Sequence, residues 1–486
     1  SWLETAPGVH TWLSTLIGKT PPGVIDLESY WETWSGATRP ALSPAFLLSG
    51  REEAAAQIRE HLRGLGQPFA IRAESRSESI AVLFAVISEL PAEEAEAVLA
   101  RAVVVESAEA LRHLTGSTSP LLLVPTFDAD ELTSAATRAG HTVIVPLGAA
   151  DPESDTAVQI PPVSRRAAAD ALHELGVDRD RAYQMAGLAR RSLTAFRRAI
   201  AASPGLRQPE WAKPAVGRSL LPALLAGSWN GAMPRDREII AALGRRPYEE
   251  VQDELIPWAI GTDPAIRRRG DAWYLVSRED AWRLLARYIT SDDLERFEQA
   301  VMTVLGAPHP QFNLPVDQRW MAGALGYSAE HSGLLSRGLA ETLAVMGALG
   351  EGVPSAGYSA RDVAERIVQR LLEAANEDWR LWASLSPYLR LLAEAAPDAF
   401  LDGVEDGLSG PDPVLRQMFT DEEHVLFGSS PHTGLLWALE VLGWSVPHLG
   451  RVVNLLARLD RIDPGSELRD EDDRTGRLAN RPLASL

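Results

Sequence analysis

Pro68-Phe-Ala-Ile-Arg-Ala-Glu-Ser-Arg-Ser-Glu-Ser79 is a short apolar run that opens into a charged loop, and Ile80 to Leu90 continues it with apolar residues at helical spacing. Residues 68–73 suit a buried strand. Three further runs share that character: Ala102-Val-Val-Val105, Pro120-Leu-Leu-Leu-Val124 and His141-Thr-Val-Ile-Val-Pro146. Helical patterns separate them. Short apolar runs alternating with helices predict a parallel sheet covered on both faces.

An α/β core of this kind, spanning Pro68 to Gly148, raises the question of nucleotide binding. A phosphate-binding loop reads G-x-x-x-x-G-K-[ST] after its first strand. Its glycines let backbone N–H groups reach the phosphates, and its lysine neutralises their charge. Here Arg72 and Ser77 stand at the glycine positions, Glu78 at the lysine position, and only Ser79 matches. A carboxylate at that point repels a γ-phosphate. The first acid after the third strand run is Asp128, too late for a magnesium ligand at the strand end. Gly18-Lys-Thr20 mimics the end of such a loop, but Leu13 occupies the first glycine position and Pro21-Pro22-Gly23 follows where a helix must start. This stretch is expected to be an exposed turn.

Composition sets the bounds. The 486 residues suggest three or four domains, and a 45% hydrophobic share supports sizeable cores. No apolar run approaches the ~18 residues of a membrane span, and Ser1-Trp-Leu-Glu4 lacks the basic and apolar regions of a signal peptide. Cysteine is absent, which removes disulfides, thiol catalysis and cysteine-bound zinc. A cytoplasmic location is the default expectation. The net charge of −19 opposes general attraction to nucleic acid or acidic membranes. The missing start methionine and the end at Pro482-Leu-Ala-Ser-Leu486 read as a fragment of a longer bacterial protein, whose other domains would be effectors or partners.

In chain order, residues 1–46 are a helical lead-in, with apolar residues at helical spacing over 2–17 and a second segment, Asp26 to Trp34. Leu47-Leu-Ser-Gly-Arg-Glu52 opens a helix to about Leu65, where Glu52 and Glu53 suit the helix macrodipole. The α/β domain covers 47–160. Residues 161–204 follow as a helical lid with helices at 164–176 and 178–202, the second carrying Arg190, Arg191, Arg197 and Arg198 as a solvated basic face. Gly205 to Pro214 reads as a linker.

The triplet Gly50-Arg51-Glu52 before a helix, the proline-bearing link Ile160-Pro-Pro-Val-Ser-Arg165 and the small helical lid resemble signal-transduction ATPases of the STAND class within the AAA+ group. The resemblance implies a winged helix after the lid. Residues 215–306 meet that expectation: helices at 220–227, 235–243 and 248–260, a hairpin from Ile266 to Val276 turning at Gly270-Asp271, and a helix at 278–288. Arg267, Arg268 and Arg269 on the hairpin fit phosphate contacts to nucleic acid, but the third helix reads Tyr-Glu-Glu-Val-Gln-Asp-Glu-Leu, whose four acids DNA repels. Protein packing is the expectation for this unit.

Residues 310–486 are helical throughout, with helices expected at 317–325, 330–349, 359–375, 377–395, 397–408, 412–419, 433–443 and 446–459, arranged as stacked pairs. Trp320, Trp379, Trp382, Trp437 and Trp444 are expected in the core, with interface anchoring the alternative for a few of them, and the tail from Arg469 to Arg477 is expected to be mobile.

The fold class is therefore α/β plus all-α: a parallel-sheet AAA+-like domain without a phosphate loop, a helical lid, a winged helix and C-terminal helical repeats. Other chemistries lack their residues. No G-x-S-x-G occurs, His173-Glu174 lacks a second histidine, His424 and His432 lack a third ligand, and Lys19 and Lys213 do not sit in a nuclease-like setting. The expected function is a non-catalytic regulatory or sensor scaffold that binds protein, with no cofactor and no metal. Two alternatives stay open. One is an ATP/ADP switch in which Arg72, Arg76 and Ser79 contact phosphate, joined by Arg190 or Arg191. The other is a DNA-binding regulator using Arg267, Arg268 and Arg269.

Overall fold

Alternate residues of the central strands point to opposite faces, and each face has its own apolar core. Val103, Val105, Leu123 and Val143 pack on one side with Ala110, Leu111 and Ala136. Ala102, Val104, Leu122, Val124, Ile144 and Ile71 pack on the other, against the helix that follows the charged loop. This two-sided burial is the physical reason for the continuous β-branched runs. The computed structural model describes residues 22–64, 67–117, 119–151, 154, 156–259, 263–350, 359–419 and 431–462. The expected helix at 2–17, the Gly18-Lys-Thr20 turn, His424 and the tail at 469–477 lie outside them.

The chain divides into two compact units. The first comprises Ser1–Lys213, Trp258–Arg267 and Glu279–Leu284; the second comprises Pro214–Pro257, Arg268–Arg278 and Leu285–Leu486. In the first unit, strands β1 (Val24–Asp26), β2 (Phe69–Arg72), β3 (Ala102–Val105), β4 (Leu122–Pro125), β5 (Thr142–Leu147) and β6 (Val158–Gln159) form one sheet in the order β1–β3–β4–β5–β2–β6. All pairings are parallel except the β1–β3 edge. The expected strands are present, and β1 and β6 extend the sheet on either edge. The helix Arg76–Ser88 is buried over its whole length from Glu78 to Ile87. A helix apolar on every side belongs inside a domain, and this one is packed all round.

The helical segment that follows corrects one boundary. A single helix over 178–202 is replaced by two, Arg179–Arg191 and Leu193–Ala199, because Ser192 adopts an extended backbone and its Oγ caps the second helix at Ala195 N. Residues 205–214 are also not a free linker. Trp211 is buried, donates from Nε1 to Asp263 O at 3.2 Å, and lies under the Arg198 guanidinium. Pro209 precedes the 3-10 turn Glu210–Ala212 that carries the indole.

The second unit holds helices Leu221–Ala226, Pro234–Gly244 and Tyr248–Leu255, and strand β7 (Ser228–Asn230). The expected hairpin forms as β8 (Ile266–Arg269) and β9 (Ala272–Leu275), in a three-stranded sheet of order β7–β9–β8. Trp229 on β7 stacks on Trp273 of β9 with ring centroids 5.5 Å apart. Asp236 anchors this unit. It is fully buried, and its carboxylate accepts hydrogen bonds from Asn230 N (2.9 Å), Ser332 N (2.9 Å) and Ser332 Oγ (2.5 Å). Ser332 in turn caps the long helix Gly333–Leu349. Substituting Asp236→Ala strands three buried donors, each of which costs roughly 1–3 kcal/mol when left unmade. The expected loss is about 3 kcal/mol or more, read from the midpoint of urea unfolding, and Asp236→Asn is expected to recover only part of it.

The C-terminal helices pack in neighbouring pairs. Helix Gly333–Leu349 packs on Ala360–Glu377 and Leu389–Ala395, Ala360–Glu377 packs on Pro397–Gly407, and His432–Gly443 packs on Val446–Ile462. Three expected helices are corrected. Residues 316–321 and 414–419 are short 3-10 turns, and 377–395 breaks at Ser386-Pro387 into Trp379–Leu385, a 3-10 turn and Leu389–Ala395. The proline removes a helical donor there. The tryptophans divide as well. Trp382 is fully buried, whereas Trp320, Trp437 and Trp444 are 75%, 56% and 84% exposed, contrary to a core role. Among the described residues no helix is long and apolar enough to cross a membrane.

Candidate functional site

Strand β2 lies between β5 and β6, neither its neighbour in sequence, so the strand order reverses at β2. In an open parallel sheet, ligands bind in the crevice at the carboxyl ends of the strands beside such a reversal. The loops that meet there are 73–75 after β2, 126–129 after β4 and 148–151 after β5.

The loop after β2 closes on itself and on its neighbours. Ser75 caps the following helix, its Oγ accepting from Glu78 N at 3.2 Å. The Glu74 N–H donates to Glu78 Oε2 at 3.1 Å. Backbone donors at a helix start attract phosphate when they are free; these two are committed to side chains of the same loop. Ser79, the one residue that matches the phosphate-loop pattern, donates its hydroxyl to Leu147 O at 2.8 Å.

Glu78 occupies the position of the lysine and does not stand as an isolated negative charge. Its Oε1 accepts from Arg51 Nη2 at 2.5 Å, with both side chains more than 95% buried. Arg51 spends its other nitrogens on Pro161 O (2.7 Å) and Leu47 O (3.1 Å). The Gly50-Arg51-Glu52 triplet thus has a physical role. Gly50 has φ +74°, and a Cβ there would sit 2.5 Å from Ser164 Cβ, so only glycine lets the chain turn Arg51 inward beside residues 161–164.

Arg76 fills the crevice between the strand ends. Its Nε and Nη2 clasp Asp151 at 2.8 and 2.5 Å, its Nη1 donates to Thr126 O at 3.1 Å, and its Nη2 also pairs with Asp128. Asp151 further accepts from Gly148 N at 2.7 Å. Gly148 admits this geometry because a Cβ there would press within 3.2 Å of Arg76 N and Ser75 Cα. Burial by itself lowers the Arg76 pKa, but hydrogen bonds and charge from Asp151 and Asp128 outweigh it and hold the group above its usual range. Burial likewise raises Asp151, and Arg76 with the Gly148 N–H overcomes it, so the net shift is downward. Arg76 and Asp151 thus hold each other ionised at neutral pH.

Arg72 donates to Asp151 O at 2.7 Å and to Ala149 O at 3.3 Å, and so braces the same loop. Glu74 reaches across to the start of helix Leu193–Ala199, accepting from Ser192 Oγ at 2.5 Å and Thr194 N at 3.2 Å. Its carboxylate takes the place that an anionic ligand would take at that helix start. Arg267 feels this cluster. Burial pulls it below its usual range, Arg76 adds to the effect, and Asp151 and Asp128 oppose it.

The arginines of the sequence reading therefore part company. Arg72 and Arg76 come together with Ser79 at the crevice, each already engaged by protein oxygens. Arg190 and Arg191 are exposed, and Arg191 makes a single 3.5 Å contact with Glu279. Arg197 and Arg198 are not a solvated face. Burial pulls Arg197 down to about 10 while it donates to Trp34 O at 2.7 Å and stacks over that indole. Arg198 is buried between Asp280 and Asp263. Burial pushes Asp280 up to about 6 even though Arg198 draws it down. On β8, Arg267 is half-buried, whereas Arg268 and Arg269 are exposed towards the hairpin turn. They do not make one continuous basic face.

Arg51, Glu74, Asp128 and Asp151 are the site residues that the motif reading passed over. Arg51 carried a signal in the Gly-Arg-Glu triplet; Asp151 carried none beyond following a strand run and a glycine. Among the described residues no cluster of His, Asp and Glu could hold a metal ion. Comparison with family models, with curated proteins and with solved structures returned no match.

Proposed function

We propose that this chain is a non-catalytic regulatory or sensor scaffold, built on an AAA+-like α/β domain related to STAND proteins, whose nucleotide crevice is occupied by its own side chains. One observation carries the reading: the Arg76 guanidinium is clamped by Asp151 and Asp128 at the strand reversal, where a bound nucleotide would place its phosphates. The Arg51–Glu78 pair, standing at the lysine position, supports it. So does Glu74, which ties the helix start at Ser192 to the loop as a ligand would. In this reading residues 161–204 are a lid held shut without nucleotide, and the following helices with their three-stranded sheet are a winged helix turned to protein contacts. The four acids of helix Tyr248–Leu255, Glu249, Glu250, Asp253 and Glu254, are all exposed, which favours a protein partner over DNA.

A triphosphate could enter only by breaking the clamp. Removing one partner of a buried ion pair costs about 3–5 kcal/mol, a large fraction of the ~8 kcal/mol that micromolar affinity represents. Isothermal titration with ATP and with ADP, each with and without magnesium, is expected to give no saturable heat at micromolar to millimolar ligand. Saturable micromolar binding that requires magnesium would overturn the proposal in favour of a switch using Arg72, Arg76 and Ser79.

A further inference from the structure

We propose that this chain forms a two-fold symmetric dimer through the outer face of its last helical pair, His432–Gly443 and Val446–Ile462. Trp437, Val441 and Trp444 lie at three- and four-residue spacing on and just after the first helix, and Val446, Leu449 and Val453 continue the stripe on the second. They are 56%, 38%, 84%, 87%, 48% and 58% exposed. The opposite faces of the same helices, through Leu435, Leu439, Val452, Leu455 and Leu459, are buried. Each helix is therefore apolar on two sides, and only one side has a partner among the described residues.

Two considerations select a second copy as the occupant. The six side chains expose on the order of 700 Å² of mostly apolar surface, close to the ~800 Å² that each partner gives to a standard interface. The stripe holds a single ionisable side chain, the exposed Glu440 at its edge on the first helix, in a chain whose net charge is −19. A two-fold contact sets a patch against itself, so any charge in it meets its own sign. A tryptophan-bearing face with its one carboxylate at the edge limits that repulsion, and exposed tryptophans are among the residues that most often dominate interface energetics. Two such helix hairpins brought face to face make a four-helix packing.

Sedimentation velocity of the full chain across the micromolar range tests the assignment. A concentration-dependent monomer–dimer equilibrium is expected. Trp444→Glu is expected to weaken it at least about 30-fold, as loss of a central anchor does. Trp320→Ala, which removes another exposed tryptophan outside the stripe, is expected to leave it unchanged. Because the substituted side chains are exposed, the thermal midpoints of both variants should match the parent at concentrations where the parent is monomeric. The absence of cysteine gives an independent readout. Val453→Cys is expected to form an oxidised dimer at concentrations where Asp170→Cys, placed on an exposed helix position of the first unit, does not. A chain that stays monomeric throughout, or a dimer that Trp444→Glu leaves intact, overturns the proposal. The face would then serve a different occupant.

Discussion

Glu78→Lys, which places a cation where a phosphate-binding loop has its lysine, is expected to unfold the first unit or weaken it severely, and to confer no affinity for ATP. The introduced ammonium would face Arg51 across a contact that now closes at 2.5 Å, with both positions nearly shut off from solvent. The favourable pair is lost and two like charges take its place. Breaking a buried pair alone costs about 3–5 kcal/mol, and typical domains have only ~5–15 kcal/mol in hand. Nor does the new ammonium find a phosphate site: the substitution frees the Glu74 N–H, but the backbone N–H at position 78 stays bonded to Ser75 Oγ and Arg76 still fills the crevice. Denaturant unfolding followed by circular dichroism gives the stability, and titration with ATP gives the binding. The double variant Arg51→Met with Glu78→Leu is expected to be far less damaging, because it removes both charges together. Equal loss in the single and double variants would mean that size and not charge decides the site.

Arg76→Ala is the second large effect. It leaves Asp151, whose side chain is 5% exposed, without its bidentate partner, and Asp128 without its own. A loss of about 3–5 kcal/mol at neutral pH is expected. The dependence on pH distinguishes this from simple loss of packing. In the parent, Asp151 titrates below its unfolded value, so its contribution is fully present above that value and disappears as pH falls through the lower, folded pKa. In Arg76→Ala, burial, the largest influence on Asp151, is opposed only by the Gly148 N–H and Arg267 and is expected to raise it, so the folded state takes up a proton first and gains stability as pH falls. The gap between parent and variant should therefore narrow from pH 7 towards pH 4, measured by urea midpoints at each pH. A constant gap would assign the loss to packing of the arginine stem.

The sheet was legible because its strands are buried on both faces. Ala102-Val-Val-Val105 has no polar position to confuse its assignment. Strands β1 and β6 were not, since three and two residues carry no pattern of their own and exist only through pairing to β3 and β2. The absence of phosphate-loop residues after β2 was legible residue by residue, but the side chains that fill the crevice there were not. Arg51 and Glu78 are 27 positions apart, and Arg76 and Asp151 are 75 apart, distances at which sequence spacing says nothing about contact. Glu78 alone reads as a repelling charge; beside Arg51 it is half of a neutral pair. The tryptophans failed in the other direction. Helical context places Trp437 and Trp444 on an amphipathic pattern, and a helix with two apolar sides gives the same spacing whichever side is covered.

The helix Arg76–Ser88 carries a last consequence. Ten consecutive positions, Glu78 to Ile87, have neighbours on every side. Replacement at any of them disturbs several contacts at once, so tolerated changes there require matching changes elsewhere. Over long divergence the segment, with Gly50 and Arg51 beside it, should alter more slowly than the exposed hairpin turn at Gly270-Asp271, and it is the stretch by which a remote cousin of this chain would be told from a chance resemblance.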